Sequence, residues 1–130
     1  EAYYQSQKSM NPEYHKRIVQ KPHPSWSKYV GDSRLHSKEL AKKSWFRKRP
    51  EDLRPDWTDI KLDVMKTAIY AKFSQNNNLQ RALMMTSDAE IIEDSTRDEF
   101  WGIGAQQDGC NWLGIILMES RNHFRSECNN

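Results

Sequence analysis

A chain of 130 residues is long enough for one core that buries roughly two thirds of the unfolded surface, so it needs neither a metal nor a disulfide staple. Apolar residues are 36% and charged residues 29%, but five Trp, five Tyr and four Phe supply bulky core material and argue against disorder. The net charge of +2 divides unevenly, with 15 Lys and Arg against 9 Asp and Glu in residues 1–66 and 5 against 9 in residues 67–130; such blocks can make a phosphate-attracting face beside an acidic site but are more often solvated surface, and charge alone establishes no ligand.

Glu1 to Met10 reads as a helix ended by Asn11-Pro12, with Tyr3, Ser6 and Met10 on one stripe and Glu1, Tyr4, Gln5 and Lys8 on another. Pro12 to Gln20 reads as a second short helix, because proline suits a first helical turn, and Lys21-Pro22-His23-Pro24-Ser25 breaks it. After Gly31-Asp32, Leu35 to Lys43 looks helical, and Ser44 to Pro55 reads as a basic loop carrying Trp45 and Phe46. Asp56 can cap the clearest helix. Its Ile60, Val64 and Ala68, joined by Met65, Ile69 and Phe73, make a wide apolar stripe that runs to about Gln75. Asn77 or Asn78 can cap another helix through Met85, while Ile91 and Ile92 favour a strand over Ala89 to Glu93. A polar, glycine-bearing stretch covers 94–109, and a last helix runs from Asn111 to about Phe124 before a frayed tail. The expectation is a single domain over 1–130, mainly α with minor short strands.

The longest apolar run, Ile115-Ile116-Leu117-Met118, falls far short of the ~20 residues of a membrane span, and no signal-peptide layout opens the chain; a cytoplasmic protein with no membrane partner is expected. Cys110 and Cys128 form no CxxC, and His15, His23, His36 and His123 are scattered, so no metal and no cofactor is assigned. Taken residue by residue, Glu1, Gln5 and Lys8 suit a solvated helix face, and Trp57 and Trp101 suit packing. Asp98 suits a cap or turn, Gly102 and Gly104 suit turns, and Asn111 suits the cap of the last helix. Lys42, Lys43, Arg47, Lys48 and Arg49 suit a solvated basic loop.

The order and spacing of several stretches carry more than their parts. They are Glu1-Ala2-Tyr3-Tyr4-Gln5-Ser6-Gln7-Lys8, Leu53-Arg54-Pro55-Asp56-Trp57 leading into Lys61 and Val64-Met65, and Ala71-Lys72-Phe73. Further on come Ile92-Glu93, Asp98, Phe100-Trp101-Gly102, Gly104, and Asn111-Trp112-Leu113-Gly114 with Leu117-Met118 and Arg121. Together they resemble the NADAR, or YbiA-like, family of N-glycosidases over nearly the whole chain. The family usually reads Glu-His where this chain has Glu1-Ala2, and usually has a strand-containing segment before that glutamate, so an N-terminally truncated domain is expected.

The resemblance implies a compact YbiA-like helical domain that hydrolyses a bond between ribose C1 and a nitrogen. The implied substrates are ribosylamino-pyrimidine phosphate intermediates of riboflavin synthesis or ADP-ribosylated guanine, in a nucleoside or a nucleic acid, acted on by a monomer. It also implies roles: Glu1 and Asp98 as carboxylates that stabilise the sugar cation or activate water, and Lys8 as proton donor or as an amine that attacks C1 of the opened ribose. Tyr4, Gln5, Arg54, Trp57, Trp101, Gly102 and Asn111 are the implied substrate contacts, with Arg47-Lys48-Arg49 as further phosphate contacts. On a continued helix Glu1 and Lys8 would stand about 10 Å apart along the axis and flank a ribosyl group. Two other readings remain: a module that binds ADP-ribose or a nucleotide without cleaving it, and nucleic-acid binding through residues 42–54 with Trp45 and Phe46.

Overall fold

A computed structural model describes residues 1–19, 28, 30, 31 and 44–130. The Lys21-to-Ser25 break, the helix expected from Leu35 to Lys43, and the basic pair Lys42 and Lys43 lie outside the described residues. The regular elements among the described residues are helical, and they divide between two compact units, Glu1–Val64 and Met65–Asn130.

The first unit opens with α1 (Ala2–Ser6) and α2 (Pro12–Val19). α1 stops four residues short of its expected end because local side chains offer the backbone other partners: Ser6 Oγ donates back to Tyr3 O at 2.7 Å, and Ser9 Oγ accepts from the Asn11 amide at 3.1 Å. Asn11 then starts α2. Its Oδ1 accepts from the Glu13 amide at 2.9 Å while Pro12 occupies the first turn, where a missing N–H costs nothing. Glu13 in the first turn and Lys16 and Arg17 in the last complement the helix dipole.

α2 buries Tyr14 and Ile18 completely, each contributing roughly 1.5–3 kcal/mol of burial. Their partners are Val30, Trp45 and Phe46. The stretch read as a basic loop supplies those two aromatics from a helical turn, α3 (Trp45–Lys48), followed by a 3-10 turn, Pro50–Asp52. Tyr14 meets Phe46 at 5.0 Å and Trp45 at 5.7 Å between ring centroids, and Asp52 Oδ2 accepts from both Trp45 Nε1 (2.8 Å) and Asn11 Nδ2 (2.9 Å).

The unit boundary falls inside α4 (Trp57–Ser74), whose apolar stripe follows the expected spacing but leaves no residue of the helix fully buried. In the second unit α5 (Asn77–Met85) packs on α6 (Trp112–Cys128). The residue preceding α5 is Asn76, one earlier than expected, and its Nδ2 donates to Lys72 O at 2.6 Å rather than capping. Leu83, Ile116 and Phe124 are buried, and Tyr70 stacks on Phe124 at 5.2 Å. Arg121 is also buried; its Nη1 donates to Thr86 Oγ1 and Ala89 O, both at 2.8 Å, which ties the turn after α5 to the last helix.

No strand forms over 89–93. The Ile91 carbonyl and the Glu93 amide, which a neighbouring strand would have bonded, are both taken by the Asn111 side chain: Nδ2 donates to Ile91 O at 3.0 Å and Oδ1 accepts from Glu93 N at 2.9 Å. Among the described residues no helix is long and apolar enough to cross a membrane.

Candidate functional site

The first unit gathers six of the residues singled out in the sequence. At the start of α1 the (i, i+4) pair closes as its spacing requires, with Gln5 Nε2 donating to Glu1 Oε1 at 2.6 Å. Gln5 is itself buried, and its main-chain carbonyl accepts the Tyr14 phenol at 2.6 Å. Burial, reinforced by the Glu1 charge, raises the Tyr14 phenol above its ordinary value, so it donates across the usable pH range.

Lys8 lies beyond the end of α1, in a turn where its amide bonds Gln5 O at 3.2 Å, and not two turns up a continued helix. Its ammonium donates to the Gly31 carbonyl at 2.8 Å and stands over two rings, 5.4 Å from the Tyr4 centroid and 5.6 Å from that of Trp57. Those rings meet edge to face at 5.1 Å, which places the first residue of α4 against α1. The Arg54 amide donates to Lys8 O at 2.9 Å. The Arg54 guanidinium is forked onto Asp56 (Nε to Oδ1 2.7 Å, Nη2 to Oδ2 3.0 Å). That pairing raises the guanidinium and lowers the carboxyl relative to their ordinary values, and it engages the Asp56 side chain expected to cap α4.

Gly31 is the residue that sequence reasoning missed. A Cβ there would stand 2.0 Å from Gln5 Oε1 and 2.8 Å from the Tyr14 hydroxyl, so only glycine lets its carbonyl reach Lys8 while Gln5 reaches Glu1. In the sequence it is one glycine before an aspartate, read only as preceding the next helix. Nothing in that dipeptide signals a partner 23 positions away.

The other four residues belong to the second unit and organise the loop before α6. Asp98 Oδ1 accepts from the amides of Phe100 (3.0 Å) and Trp101 (2.8 Å), fixing a tight turn. The carbonyls of Phe100, Trp101 and Gly102 in turn accept from the amides of Trp112 (3.1 Å), Leu113 (3.0 Å) and Asn111 (3.0 Å). Amides that a helix start leaves unpaired are thus closed by the loop itself. Gly102 approaches backbone: a Cβ would lie 2.6 Å from Glu93 O. Asn111 precedes α6 with a left-handed φ of 52° and makes no side-chain cap, contrary to the capping expectation, because both ends of its amide are spent on 91–93. Trp101 is half-buried and meets Phe100 edge to face at 4.7 Å.

Trp45 and Phe46, which the nucleic-acid reading of residues 42–54 included, are each 6% exposed and belong to the core.

The chain as a whole is similar to known proteins. N-glycosidase YbiA of Escherichia coli is 32% identical over 127 residues, which are 98% of this chain and 70% of that protein. The chloroplastic riboflavin biosynthesis protein PYRR of Arabidopsis thaliana is 39% identical over 88 residues, or 68% of this chain; the chain spans 15% of its length. The NMR structure of E. coli YbiA superposes with a TM-score of 0.78 at 31% identity, over 99% of this chain and 68% of that one. With residues 1–125 matching the NADAR domain, this chain belongs to the NADAR domain family.

Proposed function

We propose that this chain hydrolyses the bond between C1 of a ribosyl group and a base nitrogen, as a monomer without metal or cofactor. The observation that carries the reading is the cluster in the first unit, where Glu1 is held by Gln5, and Lys8 by Gly31 beside the Tyr4–Trp57 ring pair. Family membership and relatives named N-glycosidases support it.

Breaking C1–N builds positive charge on the sugar and negative charge on the leaving nitrogen. Glu1 bonds Gln5 through Oε1, which orients Oε2 for the sugar cation or for water. The partners of Lys8, a carbonyl oxygen and two ring faces, suit an ammonium, and proton delivery to the departing nitrogen uses that form directly. Attack on C1 of the opened ribose, forming a Schiff base, requires the ammonium to lose its proton first. The family resemblance makes Asp98 of the second unit the other carboxylate; its Oδ1 holds the turn, which leaves Oδ2 for water. Within the first unit Trp57 and Tyr4 cover the sugar and base, with Arg54 and Gln5 beside them; Trp101, Gly102 and Asn111 of the second unit are substrate contacts by family resemblance alone.

Two substrates fit this chemistry. One relative is named a riboflavin biosynthesis protein, which favours as first candidate the ribosylamino-pyrimidine phosphate that the resemblance implies, and an ADP-ribosylated guanosine is the second. The test is mass-spectrometric detection of released sugar from each, with Glu1→Gln and Lys8→Met as controls. Each variant is expected to lose at least about a hundredfold in rate. Borohydride added during turnover cross-links sugar to Lys8 only on the Schiff-base route. Binding of either compound without release by the wild-type chain overturns the hydrolytic reading in favour of a binding module.

A further inference from the structure

The first unit has a second polar feature on the far flank of Tyr14. A cleft of about 450 Å3 opens between α2 and α3, lined by Glu13, Lys16, Arg17, Trp45 and Arg49. Lys16 is bridged to Glu13 at 3.0 Å, so those two charges offset each other. Arg17 and Arg49 have no carboxylate partner among the described residues; both lie against one indole, their guanidinium carbons 5.9 Å and 4.3 Å from the Trp45 ring centroid.

That indole is fixed in place. Its Nε1 donates to Asp52 Oδ2 and its ring packs on Tyr14, so the cleft wall is anchored to the unit's core. Asp52, which anchors the indole, is occupied through that same oxygen by Trp45 and Asn11. The ring is too buried to accept a stacked base. What remains for a ligand is therefore the edge of the cleft, where two planar five-donor groups of like charge are held beside one ring. Their mutual repulsion is offset in part by the ring quadrupole, and an oxyanion placed between them removes the rest while gaining charge-assisted, forked hydrogen bonds. Exposed Lys48 on the adjoining turn adds to the attractive field.

We propose that the Arg17–Arg49 cleft is a phosphate-binding site, distinct from the Glu1–Lys8 cluster and independent of whether that cluster cleaves a glycosidic bond. The recognised chemistry is the phosphate oxyanion, carried by a small molecule or by the phosphodiester backbone of a single strand. The buried indole gives it no means of reading a base.

The test is a titration of 15N-labelled protein with inorganic phosphate and, separately, with a short single-stranded oligonucleotide, following the arginine Nε–Hε signals. Arg17→Gln, Arg49→Gln and Lys48→Gln are titrated in parallel. The expected result is shifts centred on Arg17 and Arg49, with affinity falling about tenfold in either arginine variant, as for loss of one charge-assisted bond, and hardly changing in Lys48→Gln. Binding of the oligonucleotide alone assigns the phosphodiester source, and equal binding of both assigns the free phosphate. Arg49 packs on Trp45, so Arg17→Gln, exposed on α2, is the deciding variant, with its melting curve as the check on folding. The proposal is overturned if neither probe moves the Arg17 and Arg49 signals, or if Lys48→Gln weakens binding as much as Arg17→Gln does.

Discussion

Gly31 and Asp98 hold neighbouring groups in place through contacts that conservative substitutions can separate from charge. Gly31→Ala drives a methyl group into Gln5 Oε1, an atom that is already buried without a hydrogen-bond partner. The expected cost is about 1–3 kcal/mol, read in thermal melts, together with a fall in the rate of the proposed glycosidase reaction because the partners of Glu1 and Lys8 shift at once. A melt and a rate unchanged from wild type would show that the contact does not constrain the cluster. At Asp98 the two roles come apart cleanly. Asn keeps an oxygen for the Phe100 and Trp101 amides, while Ala loses both bonds. Asp98→Asn is therefore expected to melt like wild type but turn over about a hundredfold more slowly, and Asp98→Ala to lose a further 1–3 kcal/mol or so of stability. Wild-type turnover in the Asn variant confines Asp98 to the turn.

Between α5 and α6 two side chains replace what regular structure would have supplied. Arg121 bonds the turn at Thr86 and Ala89, and Asn111 clips Ile91 and Glu93, so the segment expected to be a strand is held by side chains at both ends. Asn111→Ala removes two bonds and places at positive φ a residue less tolerant of the left-handed region than asparagine, with an expected loss of about 2–4 kcal/mol in denaturant unfolding. Asn111→Asp keeps only the acceptor and is expected to fall between. These contacts explain what was legible in the sequence. The stripe of α4, the Pro12 start of α2 and the Glu1–Gln5 pair follow from local periodicity and capping, which the sequence displays directly. Ile91-Ile92 looked like a strand because propensity says nothing of whether a partner strand exists, and the partner here is one amide side chain 18 and 20 positions on. The convergence of Tyr4, Lys8, Gly31 and Trp57 is likewise a matter of long-range packing. The family resemblance anticipated three of those four; spacing alone anticipated the grouping of Tyr4 with Lys8.

At the scale of the molecule, the charge imbalance seen in the sequence follows the unit boundary. Glu1–Val64 carries 14 Lys and Arg against 9 Asp and Glu, and Met65–Asn130 carries 6 against 9. Both proposed features of the first unit, the Glu1–Lys8 cluster and the Arg17–Arg49 cleft, lie on the basic side of that division. At the alkaline end two phenols contribute to the pH response of folding, Tyr14 foremost because it is buried. Burial, then the Glu1 charge, raises Tyr14, and burial, then Glu127, raises Tyr70. A phenol raised in the folded state contributes stability that is complete below about pH 10, its unfolded value, and is lost as pH climbs through the folded one. Melting temperature is thus expected to fall steeply above about pH 10, with a shallower slope in Tyr14→Phe. An identical slope in the variant would remove Tyr14 as the cause. The loop that carries Trp101 has a further consequence for how its motion can be observed. Amides at a helix start ordinarily exchange with solvent hydrogen freely, but those of Asn111, Trp112 and Leu113 are tied to carbonyls of that loop. Their exchange rates are therefore a clock on its opening, and a ligand that grips Trp101 will slow three amides it never touches.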